Sequence, residues 1–141
     1  MGRVINTNSP GKRRSFHMRT IAEILRRLSQ KSQIDDEVRD MVAMIVFSLR
    51  EIDSTVLESI EAWEKRNYWK KADDFQQKWW WASQMANNIE KMVRTDAWEQ
   101  LPDFMVKLLP QVADIQINKM MRNASTWEGA YDKLVEEPEK S

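Results

Sequence analysis

Val38, Val42, Ile45, Leu49, Ile52, Val56, Ile60 and Trp63 recur at 4-3-4-3-4-4-3 spacing, and no helix breaker interrupts them before Asn67. Steps of three and four keep these side chains on one stripe of an α-helix, whereas a strand would divide them between two faces. Asp35, Asp36 and Glu37 precede the seam and supply the negative charge that a helix N-terminus favours. Between Met41 and Phe47 the run is apolar on every side, which predicts a stretch contacted from more than one direction. Tyr68, Ala72, Phe75, Trp79, Ala82, Ala86, Ile89 and Val93 repeat the pattern as far as Arg94. Two such helices joined at Lys65-Arg66-Asn67 predict an antiparallel αα-hairpin about 40 Å long at 1.5 Å per residue.

Shorter helices should close the hairpin. A first helix is expected from Ser15 or Thr20 to about Ser32, with capping-box spacing in Thr20-Ile21-Ala22-Glu23 and one apolar face of Ile21, Ile24, Leu25 and Leu28. Pro102 suits the first position of a later helix, and Pro110 should kink or restart it near Leu109. Ser125-Thr126-Trp127-Glu128 should open a last helix carrying Tyr131 and Leu134, before a charged tail from Glu136. Only 3 Gly and 4 Pro occur in 141 residues, fewer than a sheet-rich domain of this size usually needs for its turns. The expected fold is therefore all-α. It is a bundle of four to six helices in one domain over 15–137, with a flexible basic N-terminal arm over 1–14 and a tail over 138–141.

Several functions find no support. With no cysteine, neither a disulfide nor a thiolate metal site can form. The first twenty residues lack an apolar core of signal-peptide length, and the Arg-rich, acid-poor arm is read as part of the mature protein. No later run is long and apolar enough for a membrane span, so no membrane contact and a cytoplasmic location are expected. The one histidine, His17, has no evident partner to orient it as a general base and is expected to be a solvated arm residue. There is no Glu-x-x-His pair for a di-iron bundle and no glycine-rich phosphate loop. Asp35-Asp36-Glu37 with Asp40 lacks the ligand spacing of a calcium loop. No catalytic residue, metal or cofactor is expected, and binding is favoured over catalysis.

Charge points to a partner. Residues 1–32 hold eight Lys/Arg and one acid, Glu23, for a net +7, and the rest of the chain carries a net −7. Arg3, Lys12, Arg13, Arg14, Arg19, Arg26, Arg27 and Lys31 make the positive tract. Such tracts bind RNA or DNA by releasing condensed counterions. No base-reading element is visible, so little sequence preference is expected. In the rival reading, the arm docks on the acidic surface of a neighbouring subunit in a homo-oligomer or other protein assembly. Trp80 and Trp81 mark that interface. Successive side chains of a helix stand ~100° apart, so an inward Trp79 leaves Trp80 and Trp81 on the outer side of their helix. The C-terminal helices are the first cover to expect for these rings, a second subunit the next, and a ligand or nucleobase the third.

Arg3-Val4-Ile5-Asn6-Thr7-Asn8-Ser9-Pro10-Gly11-Lys12, Thr20-Ile21-Ala22-Glu23 and Leu25-Arg26-Arg27-Leu28-Ser29-Gln30-Lys31 resemble the opening of a family of small uncharacterised bacterial helical proteins. The resemblance is clearest over the first third and extends to Trp63-Glu64-Lys65-Arg66. It implies a helical fold and brings no activity or site residue.

Overall fold

Asp35 accepts the Val38 backbone N–H at 2.8 Å and so starts the longest helix of the computed structural model, which describes residues 9–138. This helix, α2, spans Asp36–Lys65. Its seam is buried from Val38 to Ile60, and Trp63 is half-buried at the end. Within the run that is apolar on every side, Met41, Val42, Ala43, Ile45 and Val46 are buried while Met44 and Phe47 are partly covered. α2 stops where Asn67 adopts a φ of 63°, a left-handed conformation that Asn tolerates better than most side chains.

The next helix, α3, spans Trp69–Arg94. Trp63 meets Phe75 edge-on at 4.8 Å, and Arg50 pairs with Glu90 at 2.7 Å. Contacts in that order require α2 and α3 to run antiparallel. All regular structure among the described residues is helical, and five α-helices pack together.

The first helix begins earlier than its capping-box spacing suggests. α1 spans Pro10–Leu28. Ser9 is the N-cap, its hydroxyl accepting the Lys12 N–H at 3.2 Å, and Pro10 holds a first-turn position where its missing N–H costs nothing. Residues 10–14 are thus helical instead of belonging to the arm, and Pro10-Gly11 is a helix start instead of a turn. Thr20 and Glu23 are not a capping pair. Thr20 donates to the Phe16 carbonyl within the helix, and both side chains are buried. The expected apolar face of Ile21, Ile24, Leu25 and Leu28 does pack against α2.

Toward the C-terminus two expectations change. α4 spans Leu101–Val112 and passes through Pro110 without a restart, ending two residues later. A proline so near a helix end removes one hydrogen bond and then meets no further helix to disturb. Ser125-Thr126 lies within a 3-10 turn over Ala124–Thr126, capped by Asn123, and the last helix, α5, spans only Ala130–Glu136. Its cap comes from across the fold: Asp40 of α2 accepts the Gly129 and Tyr131 N–H groups at 3.3 and 2.9 Å. The expected tail begins inside this packing, because Glu137 pairs with Arg50 and its carbonyl accepts from Arg94.

Ser48 is fully buried on α2, and its hydroxyl has no hydrogen-bond partner among the described residues. A buried hydroxyl without a partner is unfavourable, and Ala is the better helix former. Ser48→Ala should raise stability by about 0.5–1 kcal/mol, read as a higher denaturant midpoint at unchanged slope.

Candidate nucleic-acid interface

The eight cations expected to meet phosphate divide sharply. Arg3 lies outside the described residues. Lys12 is exposed on the first turn of α1, and its ammonium has no partner among the described residues. The other six are engaged within the chain. Arg13 grips Glu58 with two hydrogen bonds of 3.0 and 2.7 Å, which hold the Glu58 carboxyl below its ordinary value. Arg14 donates to Thr55 and Ser59, and its guanidinium sits 4.7 Å from the Phe75 ring centre and 5.5 Å from that of Trp79. Lys31 pairs with Glu37 at 2.7 Å and Asp35 at 3.2 Å.

Arg19, Arg26 and Arg27 have a different task. They donate to the carbonyls of Lys119, Ile117 and Arg122 at 2.8, 2.9 and 2.9 Å. Those carbonyls belong to the irregular connector over 113–123, which has no helix of its own to satisfy its polar backbone. Glu23 completes the clamp. Its Oε1 accepts the Met121 and Arg122 N–H groups at 2.8 and 2.7 Å, while its Oε2 accepts from Arg19 at 2.8 Å. Much of the positive charge near the N-terminus therefore fastens the connector to α1, in place of the open tract expected.

His17 is half-buried on α1, with its ring edge-on to Phe16 at 5.2 Å, instead of lying in a solvated arm. Burial pushes its imidazole below the ordinary value, and Glu51, opposing, does not offset this.

A second basic feature stands at the junction of α2 and α3. Lys65, Arg66, Lys70 and Lys71 are all exposed, and no acidic residue falls between Lys65 and Ala72. Tyr68 and Trp69 sit among them with 52% and 59% of their surface exposed. Lys70 touches Asp74 at 3.3 Å in an exposed pair, too weak to fix it, and Lys71 lies 4.7 Å from the Trp63 ring centre. Cations interleaved with open aromatic faces suit a nucleic-acid strand, phosphate to ammonium and base to ring. The signal was present in the sequence as Lys65-Arg66-Asn67-Tyr68-Trp69-Lys70-Lys71. Periodicity obscures it by assigning Tyr68 to the buried stripe of α3, yet that helix starts one residue later and leaves Tyr68 on the turn.

Lys12 belongs to the same end of the molecule. Arg13 lies beside Glu58, so α1 begins only about 6 Å short of the end of α2 along the axis, at 1.5 Å per residue. Ser9, the N-cap of α1, thus stands near the α2–α3 turn.

Trp81 is half-buried, 5.9 Å from Trp79, while Trp80 is 61% exposed. The C-terminal helices do not cover Trp80. It borders a shallow groove whose lining, Gln77, Trp80, Trp81, Gln84, Met85 and Asn88, comes entirely from α3.

No group of three or more His, Asp or Glu among the described residues is placed to hold a metal ion, and no described helix is long and apolar enough to cross a membrane. No family model, curated protein or solved structure matches the chain.

Proposed function

We propose that the protein is a non-catalytic nucleic-acid-binding subunit that engages single-stranded RNA or DNA through the end of the molecule carrying the α2–α3 turn. In this reading the fold is a helical bundle built on the α2–α3 hairpin, and the N-terminal arm adds positive charge to it. Lys65, Arg66, Lys70 and Lys12 meet phosphates, joined by Arg3 of the N-terminal arm. Trp69 and Tyr68 stack on bases. The observation that carries the reading is the pair of exposed aromatic rings inside an acid-free run of four cations. Stacking is tolerant of base identity and the phosphate contacts carry no sequence information, so sequence preference is weak.

The test is fluorescence anisotropy of a labelled oligo-uridine titrated with the intact chain over a range of salt. Binding should weaken steeply with salt, and the double variant Lys65→Ala/Arg66→Ala should flatten the slope of log Kobs against log salt by about 0.7 per cation removed. Affinity that ignores salt, or a slope unmoved by the double variant, overturns the proposal. The exposed face of Trp80 favours a second role, assembly, which is independent of strand binding.

A further inference from the structure

Asp74, Gln77, Trp81, Gln84, Asn88 and Lys91 follow one another along α3 at 3-4-3-4-3 spacing. That is the spacing of a coiled-coil contact stripe, and it lies on the side of α3 away from the buried Ala72, Ala82, Ala86 and Ile89. Trp80 and Met85 flank it. Charged residues make up 31% of the whole chain, yet none occurs from Trp79 to Ile89. Loss of charge with retention of Trp and Met is the compositional mark of an interface core. Trp80, exposed on its flank, is an anchor without a socket.

The stripe also matches its own reverse. Laid antiparallel on a second copy of itself about a two-fold axis between Ala82 and Ser83, α3 sets Asp74 opposite Lys91 and Gln77 opposite Asn88. Trp81 then faces Gln84, while Trp80 and Met85 border the contact on opposite flanks. Each charge of the outermost pairs meets its opposite, and in the next pairs an amide meets an amide. A two-fold interface must be self-complementary in this way. Lys91 has no carboxylate partner among the described residues, and the pairing of Asp74 with Lys70 is fully at the surface.

From these features we infer that the outer face of α3 is a homodimer interface, occupied by α3 of a second copy running antiparallel. Eighteen residues of helix contact, about 27 Å long at 1.5 Å per residue, form a smaller patch than the roughly 800 Å² per partner of a standard interface. The dimer is therefore weak, with dissociation in the micromolar range. It places the two basic α2–α3 turns at opposite ends of the pair.

Sedimentation equilibrium of the full chain, from low micromolar to near-millimolar concentration, tests this. The wild type should pass from monomer to dimer, and Trp80→Glu should raise the dissociation constant at least about 10-fold, the scale of a lost anchor residue. A charge swap gives the sharper result. Asp74→Lys alone and Lys91→Asp alone should each associate less than wild type, because each puts like charges opposite one another. Mixing the two single variants restores both ion pairs and should restore association. Both positions are exposed, so helicity by circular dichroism should stay at the wild-type value in each variant. A wild type monomeric throughout, a dimer indifferent to Trp80→Glu, or a mixture no more associated than its components overturns the inference.

Discussion

Replacing Glu23 with Ala lowers stability by about 3–5 kcal/mol, the effect of stripping a buried carboxylate from partners that stay behind. Its side chain is fully buried, and it is the one acid among residues 1–32. Removing it leaves the Met121 and Arg122 N–H groups without an acceptor, and the Arg19 and Arg122 guanidinium groups without their carboxylate. The Arg122 side chain is itself only 11% exposed, so water replaces the lost partner poorly. Thermal unfolding should show a midpoint lower by about 10–15 °C, and Glu23→Gln should recover part of the loss because an amide oxygen still accepts.

The same site sets an acid limit. Burial alone would raise the Glu23 carboxyl, but hydrogen bonds from the Arg122 N–H, the Arg19 side chain and the Met121 N–H outweigh it and hold the carboxyl below its ordinary value. A carboxyl depressed in the folded state binds fewer protons there than in the unfolded chain. Its stabilisation is complete above the unfolded value of about 4.3 and disappears as pH falls through the folded value. Stability should therefore drop on acidification below about pH 4–5, and less steeply in Glu23→Gln. A loss under about 1 kcal/mol for Glu23→Ala, well short of that expected for a broken buried pair, would show the connector to be held mainly by other contacts.

The helices were readable where one physical rule dominated. The seam of α2 needs only the 3.6-residue period, and Asp35 and Asn67 bound it with local chemistry of their own. At the start of α1 two rules compete. Pro10-Gly11 has the composition of a turn, but Ser9-Pro10 is also an N-cap followed by a first-turn proline, and the hydrogen bonds of Arg13 and Arg14 to α2 give the added turn a place to pack. At the other end, α5 depends on Asp40, about ninety residues away in sequence, a contact no local pattern announces. The candidate site divides in the same way. Counting charge located a positive segment but could not tell a free guanidinium from one holding the carbonyls of Ile117 or Lys119, since that depends on where the connector passes. Trp80, by contrast, was legible as outward-facing from Trp79 alone, because adjacent side chains on a helix cannot share a direction.

Trp69→Ala should weaken binding to a single strand by about 5- to 150-fold, the equivalent of the 1–3 kcal/mol lost per unstacked base. The ring is 59% exposed, at the start of α3 where an extended strand can reach its face, and Lys65, Arg66 and Lys70 lie within five residues to hold the flanking phosphates. Trp69→Phe keeps an aromatic face and should retain most of the affinity. Because no charge is removed, the salt slope should match wild type in both variants, which separates stacking from the electrostatic part of binding. Duplex of the same length offers no unstacked base, so its weaker binding should be almost unchanged by Trp69→Ala. Trp80→Ala is the internal control: it removes an exposed tryptophan from the same helix, about 16 Å away at 1.5 Å per residue, and at concentrations below dimerisation should leave strand affinity as it is. If Trp69→Ala binds oligo-uridine as wild type does, or if Trp80→Ala weakens it equally, the bases are not stacking at the α2–α3 turn.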